Sequence, residues 1–262
     1  MTSFQIGLIV FACVFGGALA GMCLGRILPP HHLNDETKSV VTLASGTLSI
    51  LSALVIGLLI SYAKGDFDAE TKLVQKFSAD LILLDRVMRQ YGPETGEARD
   101  LLRRYTALKI ALTWPEENAA DGPRLDNPTA LAMLEGVQGK LLALTPQSEA
   151  QRWLQSRALQ TGVELSEDRW LLTAENEGSV PPPFLATLVF WLTILLAAFG
   201  LFAPRHATVA MALFVCALSL SAAIFLILEM DRPFEGFISV SAEPMQTALA
   251  HKMGYPLVDL SR

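Results

Sequence analysis

Residues 40–63 read VVTLASGTLSILSALVIGLLISYA and contain no charged side chain. At ~1.5 Å of rise per residue, a helix of this length crosses a hydrocarbon core of roughly 30 Å. Three further uncharged windows of similar length occupy residues 4–24, 184–202 and 207–228. The four windows predict four membrane-spanning helices, and therefore an integral membrane protein.

The composition of the chain agrees with this prediction. Hydrophobic residues make up 52% of the sequence and charged residues 18%, which is unusual for a soluble fold. We expect the first window to remain as a helix rather than be cleaved, because no basic residue precedes it and its first arginine, Arg26, follows it. A net charge of -6 without a basic cluster argues against nucleic acid as a partner.

The region between the second and third windows is polar and has helical periodicity. Apolar side chains continue beyond residue 63 at heptad spacing, which predicts that the second helix leaves the membrane and ends at Tyr91, before Gly92 and Pro93. The seam consists of Phe67, Val74, Phe77, Leu81, Leu84, Met88 and Tyr91. Three more helices are predicted, over residues 93–114, 128–144 and 146–175.

These elements predict an all-α membrane protein in which two hairpins flank a helical polar domain. The first hairpin spans residues 1–63, the polar domain 64–180, the second hairpin 181–230 and a C-terminal tail 231–262. Four crossings place both termini and the domain on one side of the membrane. More lysine and arginine residues lie near the membrane on that side, which favours the cytoplasm.

Three glycines on the first helix, Gly17, Gly21 and Gly25, are spaced four residues apart. This spacing lets another helix approach closely. We expect that helix to be the second one of the same chain, although the spacing alone does not exclude a neighbouring subunit.

A stripe of hydroxyl side chains runs along one face of the second helix, followed by an apolar collar and then by acids. Channels use hydroxyl linings and hydrophobic constrictions in this way, so the stripe predicts a pore. The alternative is that the hydroxyls serve helix packing. The predicted lining residues are Thr42, Ser45, Ser49, Ser52, Ile56, Leu59 and Ala63, and the predicted mouth residues are Lys38, Asp66 and Glu70.

Ionisable residues cluster near the ends of the second and fourth membrane helices. One interpretation is a structural belt of salt bridges, and another is a Ca²⁺ site, because clustered carboxylates bind that ion. We favour the belt, since no loop here has the ligand spacing of a dedicated calcium site. The cluster consists of Lys64, Asp68, Glu229, Asp231 and Arg232.

Few other motifs suggest chemistry. His31 and His32 are candidates for pH sensing or metal binding, although surface histidines beside a proline turn usually do neither. No hydrolase elbow, phosphate loop, zinc spacing or dinucleotide fingerprint is present, so an enzyme is not predicted, and neither is a bound cofactor.

Several patches of this sequence resemble the bestrophin-like family of bacterial membrane proteins. The patches cover both hairpins, whereas the middle domain matches only in length and helicity. They are residues 32–38 (HLNDETK), 62–64 (YAK), Phe67 and Asp68, 199–204 (FGLFAP), and 225–231 (FLILEMD) with Pro233, Phe234 and Gly236.

The resemblance implies a multi-pass protein of the bacterial inner membrane with the plan of bestrophins, which are pentameric ion channels with an apolar neck on the second helix. It implies that Ile56 and Leu59 occupy the neck position and that the partners are lipid, inorganic ions and copies of the same chain. The run of consecutive acids with which bestrophins hold Ca²⁺ is missing, and so are aromatic neck residues.

Two other classes of function compete with the channel. A non-conducting scaffold or signalling subunit would use the heptad seam to bind a partner. A small-solute transporter would need an internal repeat with broken helices, and the two hairpins show no such repeat.

Overall fold

The computed structural model describes residues 2–29, 34–115, 126–174, 180–204, 206–234 and 236–252, and within these ranges the chain is helical without a strand. A 3-10 turn at Pro93–Thr95 precedes α3, and a π-helical turn at Ala248–Lys252 follows α8. The predicted all-α class is confirmed. The helices are α1 (Ser3–Ile27), α2 (Asp35–Tyr91), α3 (Gly96–Thr113), α4 (Pro128–Leu142), α5 (Glu149–Ala174), α6 (Pro182–Phe202), α7 (Ala207–Met230) and α8 (Glu243–Thr247).

Four of these helices are long and apolar enough to cross a membrane, namely α1, α2, α6 and α7. They contain the four uncharged windows, so the prediction of four membrane helices is confirmed. The helices α1, α6 and α7 are a few residues longer than their windows, whereas α2 continues well beyond residue 63.

The second helix is continuous from Asp35 to Tyr91. Asn34 caps its start, since the Asn34 Oδ1 atom accepts a hydrogen bond from the Thr37 backbone N–H at 2.8 Å. The helix ends before Gly92, whose φ of 140° lies in the region that favours glycine. The prediction that this helix continues to Tyr91 is therefore confirmed.

The chain divides into two compact units. Unit 1 comprises Met1–Asp66 and Gly178–Arg232, and unit 2 comprises Phe67–Glu177 and Pro233–Arg262. In unit 1, α1 packs against both α6 and α7. The core of this packing is formed by small and medium apolar side chains, which include Val10, Val14, Ala18, Leu188, Leu192, Leu196, Ala217 and Ile224.

The α1 glycines contact α6. A Cβ atom at Gly17 would lie 2.8 Å from the Thr193 carbonyl oxygen, and one at Gly21 would overlap the Ala197 carbonyl oxygen. Gly200 of α6 packs in the same way on the α1 backbone at Ala18. The packing is intramolecular as expected, but the predicted partner was wrong at these positions. Glycine spacing reports close approach without identifying the helix that approaches.

Hydrogen bonds connect α1 with α7. The Ser221 hydroxyl of α7 donates to the Gly7 carbonyl at 2.6 Å, and the Ser3 hydroxyl of α1 donates to the Leu228 carbonyl at 3.5 Å. Both serines are buried. These two hydroxyls therefore bond the backbone of a facing helix, as polar residues in membrane helices commonly do.

Unit 2 has a large apolar core. The part of α2 beyond Asp66 contributes its heptad seam, in which Val74, Phe77, Leu81, Leu84 and Met88 are almost fully buried. The seam therefore packs inside its own unit, together with side chains of α3, α4 and α5. These include Leu102, Tyr105, Leu134, Val137, Leu141 and Leu165.

Part of the predicted C-terminal tail also belongs to unit 2. Phe234, Val240 and Met245 are buried in the same core, and the Trp114 indole N–H donates to the Val240 carbonyl at 2.7 Å. The Trp114 ring also meets the Phe234 ring edge to face, with centroids 5.8 Å apart. These contacts hold the segment after α7 against the end of α3.

Two helix starts in unit 2 differ from the predictions. The helix predicted over residues 93–114 begins as a 3-10 turn, and α3 itself starts at Gly96. The helix predicted over residues 146–175 is α5, and it starts at Glu149. The Ser148 hydroxyl accepts a hydrogen bond from the Gln151 backbone N–H at 3.1 Å and so caps the start of this helix.

Candidate functional site

The candidate pore helix is the unit 1 part of α2. Of its most apolar stretch, 11% of the residues are buried by the chain itself, against 28% for α1, 28% for α6 and 33% for α7. Its outer face carries large apolar side chains such as Leu43, Ile50, Leu54 and Leu58, all mostly exposed. Among these four helices, α2 leaves the most surface for lipid, for neighbouring subunits or for a lumen.

The predicted hydroxyl stripe has two environments. Thr42 is exposed and Ser49 is half-buried, whereas Ser45 and Ser52 are buried within the single chain. The Ser49 hydroxyl donates to the Ser45 carbonyl one turn earlier at 2.8 Å. The Ser52 hydroxyl has no hydrogen-bond partner in the part of the chain that the structure describes. The hydroxyl stripe is thus buried against its own chain at Ser45 and Ser52, whereas Thr42 and Ser49 keep accessible surface.

The apolar collar packs at its inner side against the start of α6 and the end of α7. Ile56 and Leu59 are half-buried, and both contact a small cluster of buried residues. That cluster consists of Ala63, Val180 and Ile227. Ala63 is completely buried, so it lies behind the collar rather than on open surface.

The three predicted mouth residues lie in different surroundings. Lys38 is exposed and borders a shallow depression together with Asp35, Ser39 and Thr42. Asp66, at the end of unit 1, is half-buried. Glu70, one turn later in unit 2, is only 4% exposed. Of the two acids, Asp66 therefore has more of its carboxylate at the surface.

The residues of the predicted helix-end cluster all have interaction partners. The Asp231 carboxylate accepts a hydrogen bond from the Val180 backbone N–H at 3.0 Å, which ties the end of α7 to the start of α6. Glu229 is buried in unit 1, Lys64 is exposed, and Asp68 of unit 2 is half-buried. The salt-bridge belt stays a prediction.

Metal binding stays a prediction as well. His31 and His32 lie outside the described residues. Among the residues that are described, no three His, Cys, Asp or Glu side chains group together in a way that could hold a metal ion.

A buried polar cluster in unit 2 was not predicted from the sequence. Lys109 of α3 and Arg169 of α5 are at most 2% exposed, and the Arg169 guanidinium acts electrostatically on Lys109; Thr113 of α3 is also buried. The apolar periodicity of α3 predicts an inner face made of Leu101, Leu102, Tyr105, Leu108 and Leu112. Of these, Leu102 and Tyr105 are fully buried, whereas the other three are half-buried. The spacing of Tyr105, Lys109 and Thr113 by four residues was the signal that could have revealed the cluster.

A known family matches most of this chain. The model of the Bestrophin-like domain matches residues 12–245, which include most of α1, all of α2, α6 and α7, and most of unit 2. No curated protein and no solved structure matches the chain. Because the match covers most of the sequence, including the stretches on which the resemblance rests, this membrane protein belongs to the bestrophin-like family.

Proposed function

We propose that the protein is an ion channel that assembles as a homo-oligomeric ring, with a pentamer as the expected stoichiometry, and that α2 lines its pore. The observation that carries this proposal is the low coverage of α2 by its own chain, 11% of its apolar stretch, combined with the hydroxyls on that helix. The family match supports a channel over an enzyme.

The pore lining that we propose contains fewer residues than the stripe and collar predicted from the sequence. Thr42 and Ser49 keep accessible surface and would offer hydroxyl oxygens to a hydrated ion, while Ile56 and Leu59 would form the apolar neck. Ser45, Ser52 and Ala63 would stand behind this lining, because their side chains are buried in the single chain. An apolar neck without aromatic rings leaves a wider constriction than an aromatic one.

Charge at the mouth would decide which ions enter. The Asp66 carboxylate keeps part of its surface, so a ring of Asp66 side chains would attract cations. Glu70 would add to the field from a buried position, and Lys38 would lie at the opposite mouth. We place unit 2 and both termini in the cytoplasm of a bacterium, following the lysine and arginine bias.

The heptad seam no longer supports the alternative function, a non-conducting scaffold. The heptad seam from Phe67 to Tyr91 packs into the core of unit 2, so its apolar face is used within the chain. A partner would have to bind another surface.

The test is electrical recording from purified protein in planar bilayers. We expect unitary currents, and we expect Ile56→Ala and Leu59→Ala to change the conductance or the open fraction because they widen the neck. Leu58→Ala is the matched control, since Leu58 is adjacent on α2 but 62% exposed. Absence of currents, or neck variants that behave like Leu58→Ala while the oligomer stays intact, would refute the pore assignment.

A further inference from the structure

One lysine of unit 2 contacts two carboxylates on different helices. The Lys76 Nζ atom of α2 donates to both carboxylate oxygens of Asp168 on α5, at 2.6 Å each. The same nitrogen atom lies 3.6 Å from the Asp80 Oδ2 atom, one turn further along α2. Glu164 lies one turn before Asp168 on α5, and its charge acts on Asp80 as well. We call these four residues the Lys76 cluster.

The two aspartates of the Lys76 cluster are compensated unequally. Asp168 has a hydrogen-bond donor for each oxygen, whereas the Asp80 Oδ2 atom accepts no hydrogen bond from the described residues. At 3.6 Å the Lys76 ammonium is too far from Asp80 for a hydrogen bond. The Asp80 side chain is nevertheless only 15% exposed. A carboxylate that is buried without a donor loses the hydration of its charged form and gains little in return.

The Lys76 cluster also contains more acids than bases. One ammonium and three ionised carboxylates leave an excess of negative charge. Asp80 belongs to α2, while Glu164 and Asp168 belong to α5, so like charges repel each other across the contact between the two helices. Burial raises the pKa of Asp80, Lys76 opposes this rise, and Asp168 and Glu164 add to it. Hydrogen bonding and charge therefore identify the same carboxylate as the one that takes up a proton first.

We propose that Asp80 is a proton switch that sets how firmly α5 is held against α2. In acid, Asp80 is neutral, and Lys76 compensates Asp168 without a competitor. As the pH rises, Asp80 loses its proton, competes with Asp168 for the Lys76 ammonium and repels the acids of α5. Because the folded chain binds this proton more tightly than the unfolded chain does, the α2–α5 contact is most stable in acid and weakens as the pH rises through the pKa of Asp80.

The switch does not depend on ion conduction. All four residues of the Lys76 cluster belong to unit 2, and none of them is part of the proposed pore. The helix α2 is nevertheless continuous, so the switch acts on the helix that we propose lines the pore. Measurements on unit 2 can therefore decide the proposal even if no current is recorded.

The test is hydrogen exchange of the full-length protein in detergent, measured on peptides of α5 from about pH 4 to about pH 8 and corrected for the intrinsic exchange rate at each pH. We expect the protection of α5 in the parent to fall as the pH rises, by up to about tenfold per pH unit for the release of one proton. Asp80→Asn removes the charge and keeps the shape. The α5 protection of this variant should stay at the acid level of the parent across the range.

Variants of the neighbouring residues distinguish a proton switch from a merely structural contact. Asp168→Asn frees Lys76 to pair with Asp80, so the midpoint of the fall in α5 protection should move to lower pH. Lys76→Met removes the cation that stabilises ionised Asp80, so the midpoint should move to higher pH. Asp100→Asn is the matched control, because this aspartate of unit 2 has a side chain that is 64% exposed. It should show the pH dependence of the parent.

The proposal is overturned if Asp80→Asn shows the same fall in α5 protection as the parent, because another group would then bind the proton. It is also overturned if the parent shows no fall over this range, or if Asp168→Asn and Lys76→Met move the midpoint in the same direction.

Discussion

The two units of this protein hold their helices together by different means. In unit 1, α1 and α6 meet through backbone, with Gly21 against Ala197 and Gly200 against Ala18. In unit 2, large side chains such as Phe77 and Leu81 fill the space between helices, and ion pairs such as Lys76 with Asp168 at 2.6 Å surround them.

The difference follows from the solvent that each set of helices meets. Lipid tails are as apolar as leucine, so burying large apolar side chains gains little in a membrane, and close backbone packing takes over. In water, burial of apolar surface is the dominant favourable contribution to folding. One chain therefore contains two packing chemistries, and α2 contributes residues to both units.

The largest expected effect is that of Phe77→Ala in unit 2. Phe77 is fully buried, and truncation of such a ring costs about 3–5 kcal/mol in free energy of unfolding. Peptide-resolved hydrogen exchange should show lost protection in α3 and α4 and unchanged protection in α1 and α6. Equal losses in both units would contradict the separation of the two packing chemistries.

The next largest effect is a change in the stability of unit 2 with pH. Burial lowers the pKa of Lys109 from 10.5 to about 8, so between these values the unfolded chain holds a proton that the folded chain releases. Stability of unit 2 should therefore rise with pH across this window, by up to roughly 3 kcal/mol at about 1.4 kcal/mol per pKa unit.

This rise should disappear in Lys109→Met. It can be measured by denaturant unfolding at low salt, with tryptophan fluorescence in a Trp191→Phe background, since the remaining tryptophans, Trp114, Trp153 and Trp170, belong to unit 2. A pH response that persists in Lys109→Met would assign it to another group.

A smaller effect is expected from one methyl group in unit 1. Gly21→Ala places a Cβ atom on the Ala197 carbonyl, and such overpacking costs about 1–3 kcal/mol. Gly16→Ala on the same helix is the matched control, because nothing lies within 4 Å of its added Cβ. Hydrogen exchange in α1 and α6 should accelerate in the first variant only. Identical behaviour of the two variants would rule out backbone-close packing as the support of unit 1.

The smallest effect is expected at the surface of unit 2. Lys140 donates to the exposed Glu97 carboxylate at 2.5 Å and lowers its pKa, but water screens this pair. Glu97→Gln should leave the unfolding midpoint of the tryptophan-monitored transition unchanged at neutral pH. A clear shift would show that exposed charges contribute to unit 2 more than its core packing suggests.

The positions of the helices could be predicted from the sequence, but which helices pack against each other could not. Uncharged windows and the heptad seam located α1, α2, α6 and α7, because length and periodicity are local properties. The choice of α6 as the neighbour of α1 is not local, since any of the apolar windows offers a similar surface to Gly21. Pairing in the membrane depends on shape, which a composition pattern does not contain.

The candidate site shows the same limit. The residues of the stripe from Thr42 to Ala63 lie on one helix, as predicted. Which of them are buried and which are accessible depends on how α6 and α7 pack beside that helix. The burial of Lys109 was missed because the apolar residues of α3 predict an inner face that does not include it. Lys109 and Thr113 are buried because of how the other helices of unit 2 pack against α3, which the local sequence does not specify.

The most direct test of the central claim is cysteine accessibility in single-channel recordings, in a background in which Cys13, Cys23 and Cys216 are replaced by alanine. Thr42→Cys and Ser49→Cys should lose unitary current when a cationic thiol reagent is added. Leu54→Cys, on the outer face of α2, should keep its current. Block at Leu54→Cys without block at Thr42→Cys or Ser49→Cys would contradict the proposed pore.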